Sequence, residues 1–479
     1  MYEIINTARL VDHMGFALSQ QVLTAHWLAV VLLITAGNIT IAYALRIRST
    51  EGSWNGTVYI RVDGNIDPSD APIRREADLY ILTGNIIGGV AGGIVLQRNN
   101  TIVDGAGHEL KGFNYNGGGI LLTGITNATV RNVTVTGFLT GILVEHCVNN
   151  TIRENNVTAN AYEGIKLVTS ADQTLFQNIL TRNDLGISLI EFSNNNSLGS
   201  NYVDSNMRGI ELHDSMNNSI FQNHVEDIWF DVRLLRSDNN TLNENEIRYS
   251  ADGIWLDSSS ANLIYHNLCI GTVALSFPYN YTNSWDAGYP SGGNFWNTYR
   301  GADLYEGHYQ NESGSDGIGD TPYSVNVHNA DNYPLMGTFS DFKVTKGPAL
   351  YDLEVVSNST IHDAQVAHWP TASDPYLQLG QEFISLLTEV ENNTVGFCRL
   401  TIPRDLLDGD YRVLIDWNEV PTNELSISNS THAYIYFTHS DHQIIITPEF
   451  PSLLVTTLSL LATVFLVLMF KKRASLETK

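Results

Sequence analysis

The sequence predicts an all-β protein: a right-handed parallel β-helix of 22–23-residue coils, then a small β-sandwich, then a C-terminal transmembrane helix. Three observations predict it. Aliphatic residues recur at a fixed period through residues 120–264, asparagine recurs in step with them, and residues 451–470 carry no charge and precede a basic tail. Composition sets the bounds. With 51 acidic against 26 basic residues in 479, the net charge of −25 excludes nucleic acid as a partner. Three cysteines exclude a disulfide framework, so packed apolar side chains must supply the stability.

Residues 1–50 hold an apolar run at 27–45, interrupted by Gly37, Asn38 and Thr40. Ala42-Tyr43-Ala44 offers small residues at the spacing of a signal-peptide cleavage site. No Lys or Arg cluster precedes the run, while Arg46 and Arg48 follow it, so an uncleaved N-terminal anchor is the alternative.

Residues 51–285 carry the repeat. Ile120, Ile142, Ile165, Ile187, Ile210, Val232 and Ile254 are separated by steps of 22 or 23, and each has an aliphatic partner two residues on, from Leu122 to Leu256. Alternation at period two indicates a strand. A second register, Val130, Ile152, Leu175, Leu198, Ile220, Leu242 and Ile264, keeps the same pace. Asparagine follows it at Asn132, Asn155, Asn178, Asn201, Asn223, Asn245 and Asn267, as a ladder of stacked amides would require. Coils stacked ~4.8 Å apart with aliphatic side chains inside satisfy both registers. Cys269 ends an inward column that includes Val157, Leu180, Val203, Val225 and Ile247, and is expected in the core; Cys147 falls at a turn.

The strings YILTGNI (residues 80–86) and NNTIVDGAGHELKG (99–112), followed by the coils, resemble the NosD-like family of surface β-helix proteins common in archaea. GGNFWNTYRGAD (292–303), DGIGDTPYSV (316–325) and DNYPLM (331–336) are similar to the tail of such helices, which makes residues 286–340 a capping segment. In residues 341–447 the ladder stops and strand-like runs alternate with polar turns, as in a β-sandwich. Here GFCRLTIPRDLL (396–407) resembles an immunoglobulin-like module. Residues 448–479 comprise Pro448-Glu449-Phe450-Pro451, the apolar run, and Lys471, Lys472 and Arg473. Twenty apolar residues match a ~30 Å hydrocarbon core, and the basic tail places the rest of the chain outside the cell. The arrangement resembles a PEF-type sorting signal.

Outward positions of the first strand register place Trp255, Arg233, Glu211, His213 and Asp257 on one face, where an aromatic ring can stack on a sugar and charged groups can bind its hydroxyls. A mixed solvated face has the same composition. Asn127, Asn149, Asn195, Asn217 and Asn239 begin Asn-x-Ser/Thr sequons in one column, which suits N-glycosylation as well as plain turn chemistry. Asn132 also begins a sequon and is expected to be buried in the ladder. Asp316 and Asp320 are spaced as in a calcium loop or a tight turn, and no cofactor is otherwise required. The family name points to copper, yet the closest histidine spacings, His439 with His442 and His362 with His368, lack a third ligand. The reading is a membrane-anchored, non-catalytic cell-surface protein that serves envelope structure or recognises an envelope glycan or surface protein. Its alternative is a polysaccharide lyase or glycoside hydrolase using Glu211, Asp257 and Arg233, and copper handling comes third.

Overall fold

The computed structural model describes residues 31–36, 39–44, 53–226, 229–368, 382–390, 395–440 and 442–448. Three long sheets form the first domain, and within each the strands follow one another in coil order. Every coil gives one strand to each face. Six-residue strands such as Thr140–Glu145 build the first face, three-residue strands such as Thr151–Arg153 the second, and strands such as Asn156–Thr158 the third. Pairing is parallel and in register: Ile142 with Ile165, Ile165 with Ile187, and Ile187 with Ile210. All four are fully buried, as are Leu189, Leu198 and Val203 of the same core. At about 1.5–3 kcal/mol for each buried aliphatic side chain, this column of repeated residues dominates the stability of a parallel β-helix.

Corners are held by side chains that replace backbone partners. Asn201 Oδ1 accepts both the N–H and the Nδ2 of Asn178, each at 3.0 Å, while Asn201 in turn donates its N–H to Asn223 Oδ1 at 2.9 Å. The same exchange runs from Asn155 to Asn294, and Val133 N donates into its start at Asn155 Oδ1. Asn132 therefore lies outside the ladder, contrary to its expected burial. It is exposed at φ 54°, one residue too early, and buried Val133 holds the ladder position. Two further ladders follow the same logic. One passes through Asn150, Gln173, Asn196, Asn218, Asn240, Asn262 and Asn283, and the other through Asn160, Asn183 and Asn206. At the end of the first face, Ser170, Ser193, Ser237 and Ser259 play the same part through Oγ. Cys147 occupies one position of that serine column and accepts Ile125 N–H through Sγ at 3.3 Å. Cys269 is buried in the core, as its register predicts.

At the N-terminal end of the solenoid the second face ends on Ile73–Glu76, paired antiparallel with Leu79–Leu82. At the other, the third face gains Phe295–Trp296, and Trp285 and Trp296 fill the opening. The ladder finishes on Asp331, whose Oδ2 accepts Asn294 N at 2.7 Å and Trp296 Nε1 at 2.9 Å. Burial pushes this carboxyl up to about 7.

Two five-stranded antiparallel sheets follow, from Thr338–Lys346 to His442–Pro448, and share one apolar core that includes Leu353, Leu400, Ile384 and Ile444. A smaller cluster of Ile318, Leu335, Val356 and Phe397 joins the capping segment to them. Within the N-terminal apolar run, Val31–Ala36 and Ile39–Ala44 form a two-stranded sheet of their own. Among the described residues no helix is long and apolar enough to cross a membrane; the run 451–470 and the basic tail lie outside them.

Candidate functional site

Because side chains alternate along a strand, the register that buries Ile210, Val232 and Ile254 must turn Glu211, Arg233 and Trp255 outward, one coil above another. Arg233 is the centre of the group. Its guanidinium lies 5.2 Å from the Trp255 ring centroid and 5.5 Å from that of Phe230, within cation–π range. Glu211 and Asp257 approach it from two sides at 3.8 and 3.9 Å. These are ion pairs beyond hydrogen-bonding distance. No described residue hydrogen-bonds the Arg233 guanidinium, and Nε is buried without a partner.

Four of the five residues expected on this face thus converge, and His213 turns aside to lie 3.2 Å from Asp214, in contact also with Arg236. Arg208 extends the face by bonding Glu211 at 3.3 Å and Asp184 at 2.5 Å. Lys166 is paired with Glu163 at 2.7 Å. Trp229 was not legible from the repeat, since it precedes the strand Phe230–Leu235 at a corner position where residue type varies. It is 55% exposed at the edge of the same face and is held by its backbone, which donates to Met207 O and accepts from Asp252 N. The face therefore combines two tryptophans, an arginine whose guanidinium no described residue hydrogen-bonds, and two carboxylates, a set suited to hydroxylated ligands.

Asp316 and Asp320 are both satisfied locally. Asp316 is fully buried and accepts Ile318 N and Gln310 Nε2, whereas Asp320 accepts the N–H groups of Leu304 and Tyr305. Asp303, which the spacing did not single out, accepts Asp316 N and Gly317 N, and burial pushes it up to about 7. Among the described residues no group of three or more His, Cys, Asp or Glu is placed to hold a metal ion. His439 turns inward, 3.5 Å from Cys398 Sγ, and His362 lies 3.0 Å from Glu389. The sequon residues Asn127, Asn149, Asn195, Asn217 and Asn239 are exposed along the corner between the first and second faces.

The family described as periplasmic copper-binding protein (NosD) matches residues 60–227 and 98–301. No curated protein sequence matches the chain. Among solved structures, the Dettilon tailspike protein is 11% identical, with 82% of this chain and 85% of that one covered at a TM-score of 0.36. The A-module of a mannuronan C-5 epimerase from Azotobacter vinelandii is 14% identical, covering 42% and 71% at a TM-score of 0.32. The pectate lyase Pel9A is 12% identical, covering 47% and 64% at a TM-score of 0.33. Likeness of this degree leaves substrate and activity unassigned.

Proposed function

Since the chain belongs to the NosD family, we propose that it is a cell-surface protein of that family whose first face binds carbohydrate without cleaving it. The tail at 448–479 anchors it as a membrane span with a cytoplasmic basic end, or as a PEF-type signal exchanged for another anchor, and the two-sheet domain is an immunoglobulin-like spacer. One observation carries the binding reading: Arg233 is partly exposed between two aromatic rings, and among the described residues its guanidinium makes no hydrogen bond. A sugar hydroxyl or ring oxygen accepts from such a guanidinium while the ring stacks on tryptophan.

A second reading is supported by Glu211 and Asp257, which stand on either side of Arg233 as a carboxylate pair. Two carboxylates flanking a glycosidic bond are what a hydrolase needs, and a basic residue beside a uronate serves a lyase. Copper, which the family's description names, has no ligand group among the described residues to support it and ranks third. Glycan-array binding of the purified protein, run beside lyase and hydrolase screens, separates the readings. Saturable binding without product supports recognition, product release replaces it with catalysis, and absence of both overturns the carbohydrate reading.

A further inference from the structure

The corner that follows the first face carries Asn127, Asn149, Asn195, Asn217 and Asn239, each at the head of an Asn-x-Ser/Thr triplet. All five are exposed and left-handed, with φ of 59°, 58°, 58°, 56° and 57°. The four NN triplets split their two asparagines. Asn150, Asn196, Asn218 and Asn240 turn inward to the ladder and are at most 2% exposed, and the asparagine before each points to solvent. Asn149, Asn195, Asn217 and Asn239 make no side-chain hydrogen bond among the described residues, whereas Asn127 donates Nδ2 to Asn100 Oδ1 at 2.8 Å.

Successive coils touch at this corner. Asn195 N donates to Met216 O at 3.2 Å and Asn217 N to Asp238 O at 3.4 Å, so adjacent sequons are one strand spacing apart, ~4.8 Å. That is too little for two hydrated pyranoses side by side. Two coils, ~10 Å, is enough. We infer that this corner is an N-glycan attachment edge on which neighbouring coils exclude each other, so that glycans sit on Asn149, Asn195 and Asn239 while Asn127 and Asn217 stay bare. The inference rests on the exported, cell-surface reading above. Attachment uses a lipid-linked oligosaccharide phosphate as co-substrate: the bond from the anomeric carbon to phosphate oxygen breaks, a bond from that carbon to asparagine Nδ2 forms, Nδ2 gives up one proton, and the lipid phosphate leaves.

A gap in the column provides a positive control. Asp172 holds the same exposed left-handed position, φ 57°, with Gln173 in the ladder behind it and Thr174 two residues on, and lacks only the amide. The test is site-resolved glycopeptide mass spectrometry of the full chain made and exported in an N-glycosylating host, as wild type, Asp172→Asn, and the double variant Asn195→Gln with Asn239→Gln. Wild type should carry glycan at Asn149, Asn195 and Asn239. The double variant should gain it at Asn217, and Asp172→Asn should gain it at residue 172 while Asn149 and Asn195 lose occupancy. A single peptide with both Asn195 and Asn217 modified overturns the exclusion. A bare column beside glycan on the isolated exposed sequons Asn280 or Asn311 overturns the attachment edge alone, and glycan nowhere overturns the edge together with the export reading on which it rests.

Discussion

Replacing one rung of the asparagine ladder tests whether stacked amides, and not strand pairing alone, hold the coils together. In Asn201→Ala the buried N–H of Asn178 loses its acceptor, Asn201 Oδ1 at 3.0 Å, and no other acceptor takes its place. Asn178 Nδ2 also loses this partner but keeps Ile152 O at 2.8 Å. Asn201 Nδ2 in turn gives up Leu175 O and Asn223 Oδ1, both at 3.0 Å. An orphaned buried N–H costs about 1–3 kcal/mol and each of the three other lost hydrogen bonds about 0.5–1.5 more, so the expected loss is about 3–7 kcal/mol. Asn217→Gly is the matched control: the side chain is exposed, and glycine accepts φ 56° without strain. Denaturant unfolding of both variants, with hydrogen exchange at the Asn178 amide, gives the answer. Asn201→Ala should unfold at lower denaturant and expose that amide selectively. A shift under about 0.5 kcal/mol, indistinguishable from the control, refutes the reasoning.

Three further outcomes follow from burial. Ile187→Ala empties a fully buried site between Ile165 and Ile210 and should cost about 2–5 kcal/mol by equilibrium unfolding. Burial raises Asp331 from 3.8 to about 7, so below pH ~4 both states hold the proton and between ~4 and ~7 only the folded state does. Its contribution is therefore complete at low pH and is lost as pH rises through about 7, on the order of a few kcal/mol, and Asp331→Asn should flatten that limb of the stability–pH curve. Burial likewise pushes Cys398 up to about 12, Cys269 well above its ordinary value and Cys147 upward. Thiol titration should find no reactive cysteine in the native chain and three after denaturation.

What the sequence revealed and what it hid divide along one line. Periodic features were legible because a solenoid turns equal spacing into contact: the Ile142 column, the ladder from Asn155 onward, the inward Cys269 and the shared face of Glu211, Arg233 and Trp255 all follow from register. Features set by a single coil were not. Asn132 sits one residue off the period and so swings from core to solvent, because a shift of one position reverses the side of a strand or corner. Trp229 lies at a corner without a repeating residue, and His213 turns to Asp214 and Arg236, contacts made at one coil and not repeated along the column. The serine column, with Cys147 standing in for a serine, was hidden because its period carries a residue common in any turn. Likewise Asp331 reads as part of a terminal motif, and only the three-dimensional course of the chain returns it to the ladder's end.

The claim most exposed to test is that the outward Trp and Arg of the first face form the carbohydrate contact. The decisive measurement is the dissociation constant of a glycan selected from the array for the wild-type chain and for Trp229→Ala and Trp255→Ala. A stacked ring that contributes about 1.4 kcal/mol or more predicts at least a tenfold weakening in each variant, with the fold retained by circular dichroism. Unchanged affinity in both variants would place the ligand elsewhere and contradict the account.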